Sequence, residues 1–180
     1  MNKIENEIKI KKELNKRFNE VVKWGEDRKL YQNSNPLAQA FKLAEETGEL
    51  ITAFNKDKEA EFKDAVGDCL VVALHLLKFA KRDGVTSLFF DTKPKPVGAK
   101  FAELFIQAGI IIERLYDSDI TTLTAFHLTV EGYISDLCEL AKKNDIDPVE
   151  CLDLALQEIK SRKGYFNNLG IFVKEGGGND

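Results

Sequence analysis

Helix breakers are scarce in this chain: four prolines and twelve glycines serve 180 residues. Between them apolar side chains recur at spacings of three and four over long stretches, which leaves little room for anything but helices. The periodicity predicts an all-α fold with helices over 3–27, 36–55, 58–83, 98–116, 120–144 and 147–162. Asn33, Ser34 and Asn35 supply capping oxygens ahead of Pro36, and Asp147-Pro148 opens the last helix in the same way. Asp83-Gly84 is expected to close the third helix. Between Gly84 and Gly98 the period fails, so VTSLFFDTKPKPV reads as an irregular connection. A short strand is expected over Gly170–Lys174, and the final GGGND, with no core to join, should fray.

Two of these helices carry acid where an ordinary packed helix would not. Glu45, Glu46 and Glu49 share a face in one, Glu61, Asp64 and Asp68 in the next. Both sets sit among apolar residues such as Leu43, Leu50, Val66 and Leu70. Like charges three or four apart repel, and two such faces side by side are costly without a cation between them. The bland reading is a solvated acidic surface. Against it, Glu46 and Glu49 flank Gly48, a residue that costs a helix about 1 kcal/mol relative to Ala and would let a helix or a phosphate approach closely. Asp68 also leads into the most apolar run of the chain, Cys69–Leu77, where an aspartate must be paired or bind something. The pattern points to a divalent-metal site.

Charge and composition narrow the rest. A net charge of -4 gives no general attraction to nucleic acid or to anionic membranes. The longest apolar runs fall far short of the ~20 residues a membrane span needs. The charged start, MNKIENEIKIKKELNKRF, offers no apolar secretory core, so a cytoplasmic protein is expected. Cys69, Cys138 and Cys151 lack paired or zinc-type spacing and read as small buried hydrophobes. No phosphate-binding G-x-x-x-x-G-K-[ST] loop is present. His75 and His127, each in apolar surroundings, read as core histidines, with His75 a candidate support for Asp68 two turns away.

Glu46-Thr-Gly-Glu49, followed by an acidic helix ending in Gly67-Asp68, resembles the E-x-x-E … E-x-x-D signature of the all-α NTP pyrophosphatases, the MazG-like group. Trp24-Gly-Glu-Asp-Arg-Lys-Leu, then Gln39 and Lys42-Leu-Ala-Glu-Glu, resembles the W-x-x-x-R-x-L … Q-x-x-K-L-x-E-E stretch of phage-type members. Glu158-Ile-Lys-Ser-Arg-Lys-Gly and Gly170-Ile-Phe-Val-Lys-Glu resemble that group's closing motifs. The likeness spans residues 20–84 and 148–175. One position departs: where the signature has a third Glu, this chain has Ala65, and Asp64 or Glu61 must substitute, Asp64 being preferred. Gln157 stands where the family has an Asn.

The resemblance implies a four-helix-bundle core and hydrolysis of a nucleoside triphosphate to monophosphate and pyrophosphate. It implies Mg²⁺, or Mn²⁺ in its place, held by Glu46, Glu49, Asp64 and Asp68, with Glu45 and Glu61 in reserve. Either Glu46 or Glu49 would accept the proton of the attacking water. Gln39, Lys42, Trp24, Lys160, Arg162 and Lys163 would bind substrate, Trp24 by stacking on the base. Rival functions are a dUTPase-like or modified-nucleotide hydrolase of the same fold, or a helical module that senses nucleotides without turnover.

A single all-α domain over 1–175 is expected, with 176–180 a disordered tail. Residues 85–147 match no motif of that family. An offset of 61 lays Gly48 on Gly109, Leu43 on Leu104 and Leu50 on Ile111, while Glu46 falls on Gln107 and Asp68 on Thr129. The block reads as a possible second copy that has kept packing positions and lost ligands. Such a copy would make an intramolecular pseudo-dimer; without it the family's usual homodimer is expected.

Overall fold

The computed structural model describes residues 3–91, 93, 95–116 and 120–175, with backbone alone for residue 3 and residues 120–125. The expected fraying of GGGND lies outside the described residues. Among the described residues the helices are α1 (Lys3–Asp27), α2 (Leu30–Asn33), α3 (Pro36–Asn55), α4 (Glu59–Phe79), α5 (Val97–Tyr116), α6 (Ile120–Lys143) and α7 (Pro148–Ser161). Two three-residue strands, β1 (Gly164–Phe166) and β2 (Phe172–Lys174), pair antiparallel with Tyr165 opposite Val173. The caps act as the sequence indicates. Asn35 accepts from the Ala38 amide at 2.9 Å ahead of Pro36, and Asp147 accepts from the Val149 amide at 3.0 Å ahead of Pro148.

The fold is all-α, and α4 is its centre. It packs on α1, α3, α6 and α7, and every residue from Cys69 to Leu77 is buried. That explains why this run is apolar around the whole helix rather than along one stripe. α3 and α4 form one hairpin, α5 and α6 a second, and the two meet through α3 on α5 and α4 on α6. Phe54 of α3 lies 4.8 Å from the ring of Phe101 on α5. Deeper in, the Thr47 hydroxyl lies 2.7 Å from that of Tyr133, which donates to Cys69 Sγ at 3.3 Å, so α3, α6 and α4 share one polar contact. The bounds of α3 and α5 are separated by the same offset of 61 that aligns Gly48 with Gly109.

Three details differ from the sequence reading. α4 stops at Phe79, a turn before Asp83-Gly84, because Lys81 adopts a left-handed φ of 57° and the Arg82 amide donates back to the Leu77 carbonyl at 3.0 Å. The single expected strand is one half of a hairpin. Gly48 admits no neighbouring helix: nothing lies within 4 Å of where its Cβ would stand. Gly67 is the glycine at a helix contact, since a Cβ there would sit 2.4 Å from the Cys151 carbonyl oxygen on α7.

Candidate functional site

A cavity of about 210 Å³ is shared by α1, α2, α3, α4, α7 and β2. Glu46 and Glu49 reach it from α3, Asp64 and Asp68 from α4. Helical spacing of three and four puts each pair on one face, and hairpin packing turns the two faces toward the same space. Depth separates them. The Glu46 and Asp68 side chains are 5% and 15% exposed, while Glu49 and Asp64 lie open to solvent. Ala65 is buried in the core and does not line the cavity, so Asp64 is the acid that α4 presents one turn before Asp68.

The carboxylates crowd one another electrostatically. Burial pushes Asp68 above its ordinary value and Glu46 adds to the effect, with only partial relief from Arg162. Asp64 is raised by burial, then by Asp68 and Glu158. Glu46 is raised by burial against the pull of Lys42, whose Nζ lies 2.7 Å from Glu46 Oε1. Burial works against the charge on Lys42, yet its bonds to Glu46 and Glu45 raise it above the ordinary lysine value. The other oxygen, Glu46 Oε2, is buried with no hydrogen-bond partner. A buried acceptor left in that condition is expensive until something fills it. All four side chains offer hard oxygen donors, the set that suits Mg²⁺, Mn²⁺ or Ca²⁺ and not a thiophilic ion.

Cations close the other side. Arg162, just past the end of α7, places its guanidinium 3.7 Å from Asp68 Oδ2 and also bonds Glu158, at 3.1 Å through Nε. The close approach of α7 to α4 at Gly67 brings that end of the chain over the acids. Lys174 enters from β2. Trp24 and Gln39 line the cavity as well. Trp24 is pinned by its indole N–H, which donates to the Ile159 carbonyl at 2.8 Å, and the Arg28 guanidinium sits 4.7 Å above its ring.

The remaining sequence candidates lie elsewhere. Glu45 points to solvent and pairs with Lys42 at 3.0 Å; Glu61 is exposed and held by Lys58. Lys160 is exposed 3.4 Å from Glu20, and Lys163 borders a separate surface cleft beside β1. Gln157 is exposed and off the cavity, whereas its neighbour Glu158 lines it. His127 is only half-buried. His75 is buried as expected, yet it faces the cavity, bonded at Nδ1 and unpartnered at Nε2. Sequence reasoning missed Glu158, Lys174, Ile171 and Phe172 as lining residues, although the closing motifs contain all four.

Residues 35–89 match the family model of the MazG nucleotide pyrophosphohydrolase domain. Over that stretch the chain is similar to that family. An uncharacterized 18.2 kDa protein of the rep-hol intergenic region of Haemophilus phage HP1 (strain HP1c1) is 40% identical over 73 residues. Those residues are 41% of this chain and 45% of that protein, so the match spans less than half of the relative's length. No solved structure matches. The MazG-like stretch contains α3, α4 and the four cavity carboxylates that these two helices supply; Trp24, Glu158, Arg162 and Lys174 lie outside it.

A second acidic group belongs to the other hairpin. Asp91, Asp136 and Glu139 bring carboxylate oxygens within 4.8 Å of one another. Its cation is part of the chain: Lys100 Nζ, fully buried, lies 2.6 Å from each of the three. Those hydrogen bonds outweigh burial and hold the Lys100 ammonium well above the ordinary lysine value. A metal there would have to displace a buried ammonium, so this cluster is a structural ion network. No described helix is long and apolar enough to cross a membrane.

Proposed function

We propose that this chain is a Mg²⁺-dependent nucleoside triphosphate pyrophosphohydrolase acting in the cytoplasm, converting a (d)NTP to the monophosphate and pyrophosphate. The observation that carries the proposal is the cavity itself: four carboxylates of a MazG-like hairpin, one buried oxygen without a partner, and three cations in the same lining.

Glu46, Glu49, Asp64 and Asp68 would hold the metal. When bound, Mg²⁺ neutralises polyphosphate oxygens and makes a coordinated water a better nucleophile. Lys42, Arg162 and Lys174 contribute fixed positive charge for the triphosphate and for the leaving pyrophosphate. Lys42 engages Glu46, whereas no ion pair holds Glu49 among the described residues. On this reading Glu49, rather than Glu46, would accept a proton from the attacking water. Burial of Glu46 and Asp68 keeps bulk solvent away from the inner half of the site, where each charge acts at greater strength.

The second hairpin supports a further part of the reading. α5 and α6 pack on α3 and α4 as a partner's hairpin would, and Lys100 supplies in place the charge that an ion would bring. The chain then completes its own bundle as an intramolecular pseudo-dimer.

Pyrophosphate release from each common dNTP, with Mg²⁺ and with EDTA, tests the proposal. Metal-dependent release of pyrophosphate and monophosphate is expected. Release of orthophosphate, or none from any nucleotide, would contradict it; binding without turnover would favour the sensing module.

A further inference from the structure

The cavity lining falls into two contiguous groups, and the acids account for only one. The other is aromatic and aliphatic: Trp24, Leu30, Val71, Val72, Ile171 and Phe172. Trp24 ties it together, its ring centroid 5.7 Å from that of His75 and 6.1 Å from that of Phe172. Within this apolar wall stands one polar atom that nothing in the fold uses. His75 is 1% exposed, and its Nε2 has no hydrogen-bond partner.

The orientation of His75 is fixed from behind. Its Nδ1 lies 2.8 Å from the Tyr31 hydroxyl, and the two rings meet edge to face. Gly25 makes room for the pair, because a Cβ there would stand 2.9 Å from His75 Cε1 and 3.1 Å from the Tyr31 ring. A phenol O–H is a better donor than an imidazole N–H, and a neutral imidazole nitrogen a better acceptor than a phenol oxygen. Tyr31 therefore donates to Nδ1, and the ring proton resides on Nε2. Burial pulls the His75 pKa down to about 3, so the ring stays neutral and Nε2–H is a donor at any working pH.

His75 is two turns beyond Asp68 on α4, a rise of about 10 Å, which leaves a ribose's length between the acids and the donor. We propose that the apolar half of the cavity receives the nucleobase and that His75 Nε2–H donates to the carbonyl oxygen at C4 of a pyrimidine or C6 of a purine. The site thereby selects keto bases over amino bases. This rests on the nucleotide reading above and adds to it a substrate class and its reader. A base with an amine at that position would set N–H against N–H and leave the His75 donor buried and unfilled, the arrangement that gives polar sites their strongest discrimination. His75 touches the base; Tyr31 is a positioning residue that acts through the tautomer.

The size-matched pair of uracil and cytosine nucleotides isolates the exchange of O4 for N4. Trp24 is the chain's one tryptophan, and it stands in the cavity wall. Its fluorescence reports binding of dUMP and dCMP independently of turnover. The wild-type chain should bind dUMP at least about tenfold more tightly than dCMP, with the same order in kcat/KM for dUTP and dCTP. His75→Phe should bring the two within about threefold, and His75→Asn, which keeps an N–H donor, should restore part of the gap. Tyr31→Phe should narrow it while shifting the His75 ring ¹⁵N resonances toward a mixture of tautomers. Equal binding of dUMP and dCMP by the wild type would overturn the proposal, as would a preference that survives His75→Phe. A dUMP preference without pyrophosphate release from dUTP would leave the base reader standing and remove the hydrolase.

Discussion

At the scale of single residues, the inner acids are held in the fold at a cost, which is the mark of residues kept for chemistry rather than stability. Asp68→Asn should lower turnover by at least about a hundredfold, yet leave the metal-free melting temperature unchanged or higher, because it removes a crowded buried charge and keeps the shape. Unchanged turnover would refute the ligand set. pH offers a second test. Glu46, Asp64 and Asp68 are raised in the fold, so the folded chain holds their protons more tightly than the unfolded chain does. That stabilising contribution is fully present below the ordinary carboxylate range, about pH 4, and is lost as pH rises through the raised values. A divalent cation offsets the loss, so the rise in Tm on adding Mg²⁺ should grow between about pH 5 and about pH 7. Melts with Mg²⁺ and with EDTA measure it; a metal shift that shrinks over this range would contradict the account. The acids were legible in the sequence because helical spacing alone aligns Glu46 with Glu49 and Asp64 with Asp68. Glu158 was not, since a lone glutamate on an amphipathic helix looks like any solvated one until α7 is docked.

At the scale of elements, two glycines in the MazG-like hairpin should answer substitution oppositely. Gly67→Ala would drive a Cβ into the Cys151 carbonyl, so overpacking should cost about 1–3 kcal/mol despite the helix propensity gained. Gly48→Ala meets open space and should stabilise by up to about 1 kcal/mol. Urea denaturation of both variants checks the pair. A stable Gly67→Ala would mean that α7 does not need its close seat on α4. Helix starts were legible because Asn35-Pro36 and Asp147-Pro148 state their chemistry openly. Helix ends were less so: Asp57, Lys81 and Asp145 take left-handed φ values of 53°, 57° and 58° at the ends of α3, α4 and α6. A reading that waits for glycine runs past Lys81. The β-hairpin was only half visible because three-residue strands carry too little pattern to register.

At the scale of the whole molecule, two helical hairpins face each other, one with acids open to a cavity and one with its acids paired to the buried Lys100. If the second hairpin completes the bundle within one chain, light scattering should give the monomer mass of 20.3 kDa; a stable dimer would require a further face. Lys100→Met should destabilise strongly, by about 3–5 kcal/mol, because Asp91, Asp136 and Glu139 would lose their shared partner; thermal or urea unfolding measures it, and a neutral result would remove the ion network from the core. The matching bounds of α3 and α5 were faintly legible in the 61-residue offset, but the Lys100 network was not, since Lys100 stands 36 positions before Asp136 and Asp91 stands 48 before Glu139. On the proposed function the α3 and α4 acids, and not the Lys100 cluster, take the metal. Anomalous diffraction from crystals soaked in Mn²⁺ with a non-hydrolysable triphosphate tests this most directly. The expected result is a manganese peak among Glu46, Glu49, Asp64 and Asp68; a peak at Asp91, Asp136 and Glu139 with Lys100 displaced, or none at either place, would contradict it.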